Sequence, residues 1–184
     1  MREITPLIQS ERLDLLAMTP AFLEASIQGD QTKAKKLLGV TIPSDWWQVR
    51  DFMKMRFDQG QKDPAYQPWS PRAISLRQTQ TMIGFIGFHT APAPEYLHEL
   101  APGGIEFGYT IFALFRLNGY AKEASQALML WARKQHQITR FILSINPENQ
   151  PSLQIAKHFG FIKIGSHIDE EDGLEEIYER RYTE

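Results

Sequence analysis

The stretch Arg116-Leu117-Asn118-Gly119-Tyr120-Ala121 constrains this chain more than any other. Before it runs an apolar, aromatic segment, Ile105 to Phe115, with the character of a buried strand. After it, Ala121 to His136 is alanine-rich and amphipathic: Ala124, Leu128 and Trp131 share one face, with Ala127 and Leu130 beside it, which is helical spacing. A strand that passes through a basic residue and a glycine turn into a helix is a ready site for an anion. The first turn of a helix leaves backbone N–H groups without partners, and the helix dipole adds partial positive charge there. Phosphate is the usual guest at such a junction.

The remaining elements follow from periodicity and punctuation. Glu11 to Met18 is strand-like. Thr19 and Pro20 start a helix, as N-cap and first helical residue, that runs to about Gly29. Asp30 to Leu38 is a second helix closed by Gly39, and Ser44 caps a third that ends at Gly60, with Trp46, Val49, Met53 and Phe57 at helical spacing. These three helices form a cap layer. Residues 63–71 are a loop with three prolines. Arg72 to Arg77 and Met82 to Thr90 are strands joined by a turn at residues 78–81, and Ala91 to Gly104, rich in Pro and Gly, is a surface loop. Arg140 to Ile145 is a strand, Asn149 to Phe159 a short helix ended by Gly160, and Phe161 to Ser166 a strand. Asp169 to Gly173 is an acidic turn before a last strand, Leu174 to Tyr182. Strands outnumber crossover helices, so the fold class is α+β, with a mixed sheet and not a doubly wound one. At 184 residues, with no repeat and no linker, the chain is expected to form one domain over residues 1–184.

Composition narrows the chemistry. A net charge of −2 gives no bulk reason to expect nucleic acid, and the basic cluster Lys33, Lys35 and Lys36 suits a solvated helix face. The absence of cysteine removes a thiol nucleophile, a thiolate zinc site and a disulfide frame. The five histidines (His89, His98, His136, His158 and His167) lack metal spacing, so no metal is expected. The opening residues lack the apolar core of a signal peptide, and no apolar run approaches the ~18–20 residues of a membrane span, so a cytoplasmic location is expected. Trp46, Trp47 and Trp69 are expected in the core or in cleft walls.

Two nucleotide motifs are absent: the P-loop, and the G-x-G-x-x-G turn of dinucleotide folds. Gly84 and Gly87, inside a strand, suit close backbone approach. What remains is Arg116, two free positions, Gly119, one free position and Ala121. This resembles the cofactor turn of the GNAT acetyltransferases (Gln or Arg, x, x, Gly, x, Gly or Ala). Glu106 to Ile111 ahead of the turn, Glu123-Ala124 after it, the opening Glu11-Arg12-Leu13, and Asn149-x-x-Ser152 followed by Gly160-Phe161 resemble the RimJ/RimL-like branch of that family, in its order and over nearly the whole chain. The resemblance implies a GNAT-like fold, with a mostly antiparallel central sheet flanked by helices, and names the anion as the pyrophosphate of coenzyme A, bound as acetyl-CoA.

On the turn itself, backbone N–H groups from Leu117 to Ala121, including Asn118 and Tyr120, can converge on a pyrophosphate. Gly119 permits positive φ and Ala121 keeps the helix start small. The resemblance further implies that the pantetheine arm pairs with the strand end near Ile111, Phe112 and Ala113. It departs from the family in two places: Ala113 stands where Pro is frequent, and Leu117 where Gly is frequent.

Acetyl transfer to an amine requires a base for the amine's proton and a donor for the oxyanion. Glu106 is the first candidate base and His89 the second. The oxyanion donor would be a strand N–H near Ile111 or Phe112. The tyrosine that many family members place in the last short helix is Ala156 here. The branch implies Ser152 as the proton donor to the thiolate, although Ser152 also suits a helix cap. Asn149 suits either a cofactor contact or the N-cap. The leading reading is an acetyl-CoA-dependent N-acetyltransferase working as a monomer or homodimer, with no nucleic acid and no membrane among its partners. It would transfer acetyl directly to a primary amine, either a small molecule or a protein N-terminus. The alternative is a non-catalytic acyl-CoA-binding or sensing domain on the same fold.

Overall fold

Thr19 and Pro20 begin a helix by the means the sequence indicates. In the computed structural model, which describes residues 5–169 and 173–183, the Thr19 side chain accepts from the Phe22 N–H and Pro20 is the first helical residue. That helix is α1 (Pro20–Ile27). It follows strands β1 (Ile8–Gln9) and β2 (Leu13–Ala17) and precedes α2 (Gln31–Leu38) and α3 (Arg50–Lys62). The strands β3 (Arg72–Leu76), β4 (Thr81–Phe88) and β5 (Ile105–Ile111) come next, then α4 (Tyr120–His136), β6 (Arg140–Ile145), α5 (Gln150–His158), β7 (Ile162–Asp169) and β8 (Gly173–Arg181).

The residues group into two compact units, Met1–Gly87 with Tyr109–Leu128, and Phe88–Gly108 with Met129–Glu184. In the first, β1, β2, β3 and β4 pair successively and antiparallel, with Leu15 opposite Ile74. The core of this unit is built on Trp46, which is fully buried and stacks on Phe22 at 5.6 Å with its edge to Phe85 at 5.8 Å. Its indole N–H donates to the Ser26 hydroxyl, which satisfies the one polar atom that burial would otherwise strand. Met18, Leu23, Met53, Met82 and Phe112 complete this cluster, so Phe112 anchors the end of β5. A Cβ on Gly84 would lie 2.0 Å from the Thr110 carbonyl oxygen and one on Gly87 2.7 Å from Pro71 Cα, which is the close approach expected of those glycines.

In the second unit β5 runs parallel to β6, with Glu106 opposite Ile142, and β6–β8 and β8–β7 are antiparallel. Phe107 meets Phe141 edge-on and Phe161 at a tilt, both at 6.4 Å. The fold class is therefore the expected α+β one, with mostly antiparallel pairing.

Three local expectations need correction. Ser44 does not cap α3: residues Ser44–Gln48 form a separate 3-10 helix, and Val49 (φ −101°, ψ 43°) breaks the path before α3 begins at Arg50. That helix passes through Gly60, where a glycine costs only ~1 kcal/mol, and ends at Lys62. The run to Phe115 is not all strand: β5 stops at Ile111, and Ala113–Phe115 form a 3-10 turn once the Phe112 ring has entered the core. The loops expected at 63–71 and 91–104 contain 3-10 segments, Pro64–Trp69 and Glu95–Leu97. The expected acidic turn lies largely outside the described residues.

Candidate active site

The turn after β5 is shaped by two residues with left-handed backbone, Leu117 (φ 63°) and Gly119 (φ 79°). Arg116 donates from Nε to the Ile111 carbonyl at 2.9 Å, which folds the turn back on the strand end. The Asn118 amide donates to the carbonyls of Phe115 and Arg116 at 3.2 and 2.9 Å. The first intrahelical bond of α4 runs from the Glu123 N–H to the Gly119 carbonyl. The N–H groups of Tyr120, Ala121 and Lys122 thus lie ahead of the helical ladder, at the positive end of a 17-residue helix.

An acidic side chain, Glu123, sits in this first turn, where its charge would oppose an anionic ligand. It is neutralised. Its carboxylate accepts from the Ser10 hydroxyl at 2.6 Å, from the Arg12 N–H at 2.8 Å and from Arg12 Nε at 2.7 Å. Burial pushes the Glu123 carboxyl up, but the bonds from Ser10 and Arg12 outweigh it and hold the group below its usual range. Arg12 also donates from Nη1 to the Asn118 carbonyl at 3.2 Å and lies over the Tyr120 ring at 4.6 Å. A Cβ on Gly119 would stand 3.6 Å from Arg12 Nη2, so a guanidinium borders the open side of the glycine. Exposed backbone, a helix N-terminus and this cation together fit the pyrophosphate of coenzyme A.

At the strand end, Ile111 and Phe112 are buried and Ala113 is exposed. The Phe112 N–H already donates to the Ile83 carbonyl at 2.9 Å. Successive N–H groups of an extended chain alternate edges, so Ile111 presents its own to the opposite side. Of the two N–H groups the sequence names, that of Phe112 is thus taken by Ile83.

Glu106 sits in the second unit, 6% exposed, at the centre of a polar cluster. The Tyr96 hydroxyl donates to its Oε2 at 2.8 Å, and His89 Nδ1 stands 3.5 Å from Oε1. The Ser144 hydroxyl is a third donor; it lies two residues beyond Ile142, the register partner of Glu106, and so on the same face. Burial alone would push the Glu106 carboxyl up. The hydrogen bond and charge of His89, with the hydroxyls of Ser144 and Tyr96, outweigh it and bring the pKa down to about 2.

On α5, Asn149 is the N-cap: its Oδ1 accepts from the Ser152 N–H at 3.2 Å. The cap alternative for Ser152 therefore falls to Asn149, and Ser152 is a half-buried residue of the first turn. Ala156 is buried. The sequence reading missed Ser10, Arg12 as a ligand of Glu123, Tyr96 and Ser144. Arg12 and Glu123 both stood within matched motifs, but nothing local pairs two residues 111 positions apart. Among the described residues, no group of three or more His, Asp or Glu could hold a metal, and no helix is long and apolar enough to cross a membrane.

Residues 12–162 match the family model described as acetyltransferase (GNAT) domain. The chain is 30% identical over 92 residues to an uncharacterized N-acetyltransferase, YnaD, of Bacillus subtilis (strain 168), a stretch that covers 50% of this chain and 49% of that protein, so it spans about half that relative's length. It is 26% identical over 159 residues to an uncharacterized N-acetyltransferase, p20, of Bacillus licheniformis, covering 86% of this chain and 83% of that one. Among solved structures, RimL, a ribosomal L7/L12 alpha-N-protein acetyltransferase, superposes with TM-score 0.65 at 20% identity over 96% of this chain and 94% of the other. Its complex with coenzyme A gives 0.64 at 17% over 96% and 98%. A ribosomal-protein-S5-alanine acetyltransferase from Vibrio fischeri gives 0.65 at 12% over 96% of each chain. These likenesses extend the fold over nearly the whole length.

Proposed function

The chain belongs to the acetyltransferase (GNAT) family as an acetyl-CoA-dependent N-acetyltransferase, and we propose that it acts in the RimJ/RimL manner, transferring acetyl directly to a primary amine within a ternary complex. The acceptor is a small-molecule amine or a protein N-terminus, the latter supported by the names of RimL and the S5-alanine enzyme among its structural neighbours. Residues 1–184 serve as one catalytic domain, supported by a family match that runs through both compact units. The enzyme works as a monomer or homodimer in the cytoplasm, where acetyl-CoA is a metabolite.

The observation that carries this reading is the turn. Positive φ at Leu117 and Gly119, the N-terminus of α4 and the Arg12 guanidinium make a cationic, open cradle. In this reading the backbone of Arg116 to Ala121 holds the pyrophosphate, the strand end Ile111 to Ala113 aligns the pantetheine, and Asn149 contacts the cofactor through the amide group left over from capping. When bound, acetyl-CoA supplies the activated acetyl group. Glu106 lies in the proton-handling cluster, and Ser152 is the proton donor to the departing thiolate. A direct transfer is supported by the lack of any cysteine to carry the acetyl group.

Coenzyme A should raise the melting temperature of the wild type, and acetyl-CoA should release free thiol in the presence of an amine panel that includes N-terminal peptides. Gly119→Glu should abolish the shift, because it sets bulk and negative charge against the pyrophosphate and forces a side chain to φ 79°. An unchanged shift in that variant would remove the turn as the site.

A further inference from the structure

Glu106 and Gly108 stand two apart on β5 and so share one face of the strand, and the His89 ring lies across both. At one end Nδ1 faces the Glu106 carboxylate at 3.5 Å. At the other, a Cβ on Gly108 would come within 2.8 Å of Nε2, so a side chain there would drive the ring off its place. The His89 backbone N–H donates to the Glu106 carbonyl at 2.9 Å, which fixes the origin of the side chain beside the strand. The imidazole remains partly exposed, whereas the Glu106 side chain is deeply buried.

We propose that His89 takes the proton of the acceptor amine, and that Glu106 is a positioning residue that holds the imidazole with Nδ1–H toward its carboxylate and the lone pair on Nε2. The inference rests on the acetyl-transfer reading above and names the base within it. Three donors converge on Glu106, from Tyr96, His89 and Ser144, and each bond to the ionised form lowers its appetite for a proton. A base works best when its conjugate acid titrates near the working pH, as imidazoles do and a carboxylate at about 2 does not. A carboxylate behind the ring also favours the imidazolium that forms when the proton arrives, and it selects the tautomer.

Among the groups that face the ring are Glu106 on β5 and, through Glu106, Tyr96 of the 91–104 loop. The ammonium form of the acceptor gives one proton to Nε2 and becomes the neutral amine. The amine nitrogen then bonds to the acetyl carbon as the C–S bond breaks. The nitrogen's second proton is lost, the thiolate is protonated, and one net proton passes from the imidazolium to solvent.

The test pairs a spectrum with kinetics. Histidine labelled with 15N, assigned by the signal missing in His89→Gln, should show neutral His89 protonated on Nδ1; the Nε2–H tautomer would overturn the proposal without reference to turnover. With the panel amine that best supports thiol release, His89→Gln should lower kcat about 100-fold or more. Its coenzyme A affinity should stay within about twofold, and the acid limb of the kcat/KM profile should disappear. Glu106→Gln should keep that limb, because the imidazole is still present. A His89→Gln enzyme that retains the wild-type acid limb, or a Glu106→Gln enzyme that lacks one, would return the base to Glu106. Failure of the wild type to release thiol would instead count against the acetyl-transfer reading, and the tautomer would still decide the role of His89.

Discussion

Protonating Glu106 should be one of the larger single contributions to acid unfolding of this protein. Its carboxyl titrates at about 2 in the folded chain against an ordinary value of 4.5. A depressed pKa gives stability that is fully present above the unfolded value and is lost as pH falls through the folded one. The window is therefore about pH 5 down to 2. The full contribution is (4.5 − 2) × 1.36, or about 3 kcal/mol. At pH 3 the unfolded state is almost fully protonated and the folded carboxylate is still mostly ionised, so about 2 kcal/mol of it should already have gone, within reach of a urea titration. Other carboxylates titrate over the same range, so the measurement is a difference. Wild type and Glu106→Gln would be unfolded in urea at pH 7, 5, 4 and 3. From pH 5 to pH 3 the gap between them should shrink by about 2 kcal/mol, because only the wild type loses this contribution. A gap that stays flat to pH 3 would mean that Tyr96, Ser144 and His89 do not hold the carboxylate ionised, and the argument that it is too weak a base would fall with it.

Leu117 occupies left-handed backbone at φ 63° with its side chain fully exposed, so Leu117→Gly removes strain without losing burial. Relief of ~1–2 kcal/mol, less ~0.5–1 for the added freedom of the unfolded chain, should raise stability by ~0.5–1 kcal/mol and the melting temperature by ~1–4 °C. A lower melting temperature would show that the side chain makes a contact that offsets the strain. Trp46→Ala deletes the fully buried ring that Phe22, Phe52 and Phe85 pack against. It also strands the Ser26 hydroxyl. It should cost about 3–5 kcal/mol in urea unfolding, and a loss below about 1 kcal/mol would mean the cluster closes over the cavity.

Elements with their own punctuation were legible in the sequence. Asp30 and Gly39 bracket α2 because one side chain caps the Lys33 N–H and the other residue takes φ 80° at the C-cap, both local events. The strand Arg140–Ile145 was legible to the residue, since its apolar run is short and bounded. Misjudged boundaries came where tertiary packing overrode local pattern. Trp46 lies at helical spacing with Met53, yet it belongs to a separate 3-10 segment because its ring fills the centre of the core. The two-residue β1 carries too little pattern to be seen at all. In the site, Gly119 was legible because a turn must have it. Tyr96 was not, because a loop tyrosine carries no sign of which carboxylate it will reach.

The pairing of Arg12 with Glu123 resolves an apparent conflict in the site. A carboxylate in the first turn of a helix satisfies the dipole by itself and so competes with any anionic ligand for the same N-terminus. Here Glu123 turns away from that role, taking bonds from Ser10 and from the backbone and side chain of Arg12. The ion pair is partly exposed, and little stability should be ascribed to it. Its consequence is geometric. Glu123 engages Nε and the Asn118 carbonyl engages Nη1, which fixes the guanidinium plane over Tyr120 with Nη2 toward Gly119. The acid thus serves as the anchor of the cation. On the proposed reading, Arg12 at the entry of β2, far from the turn in sequence, is in this way part of the cofactor site, because it sets a cation beside Gly119.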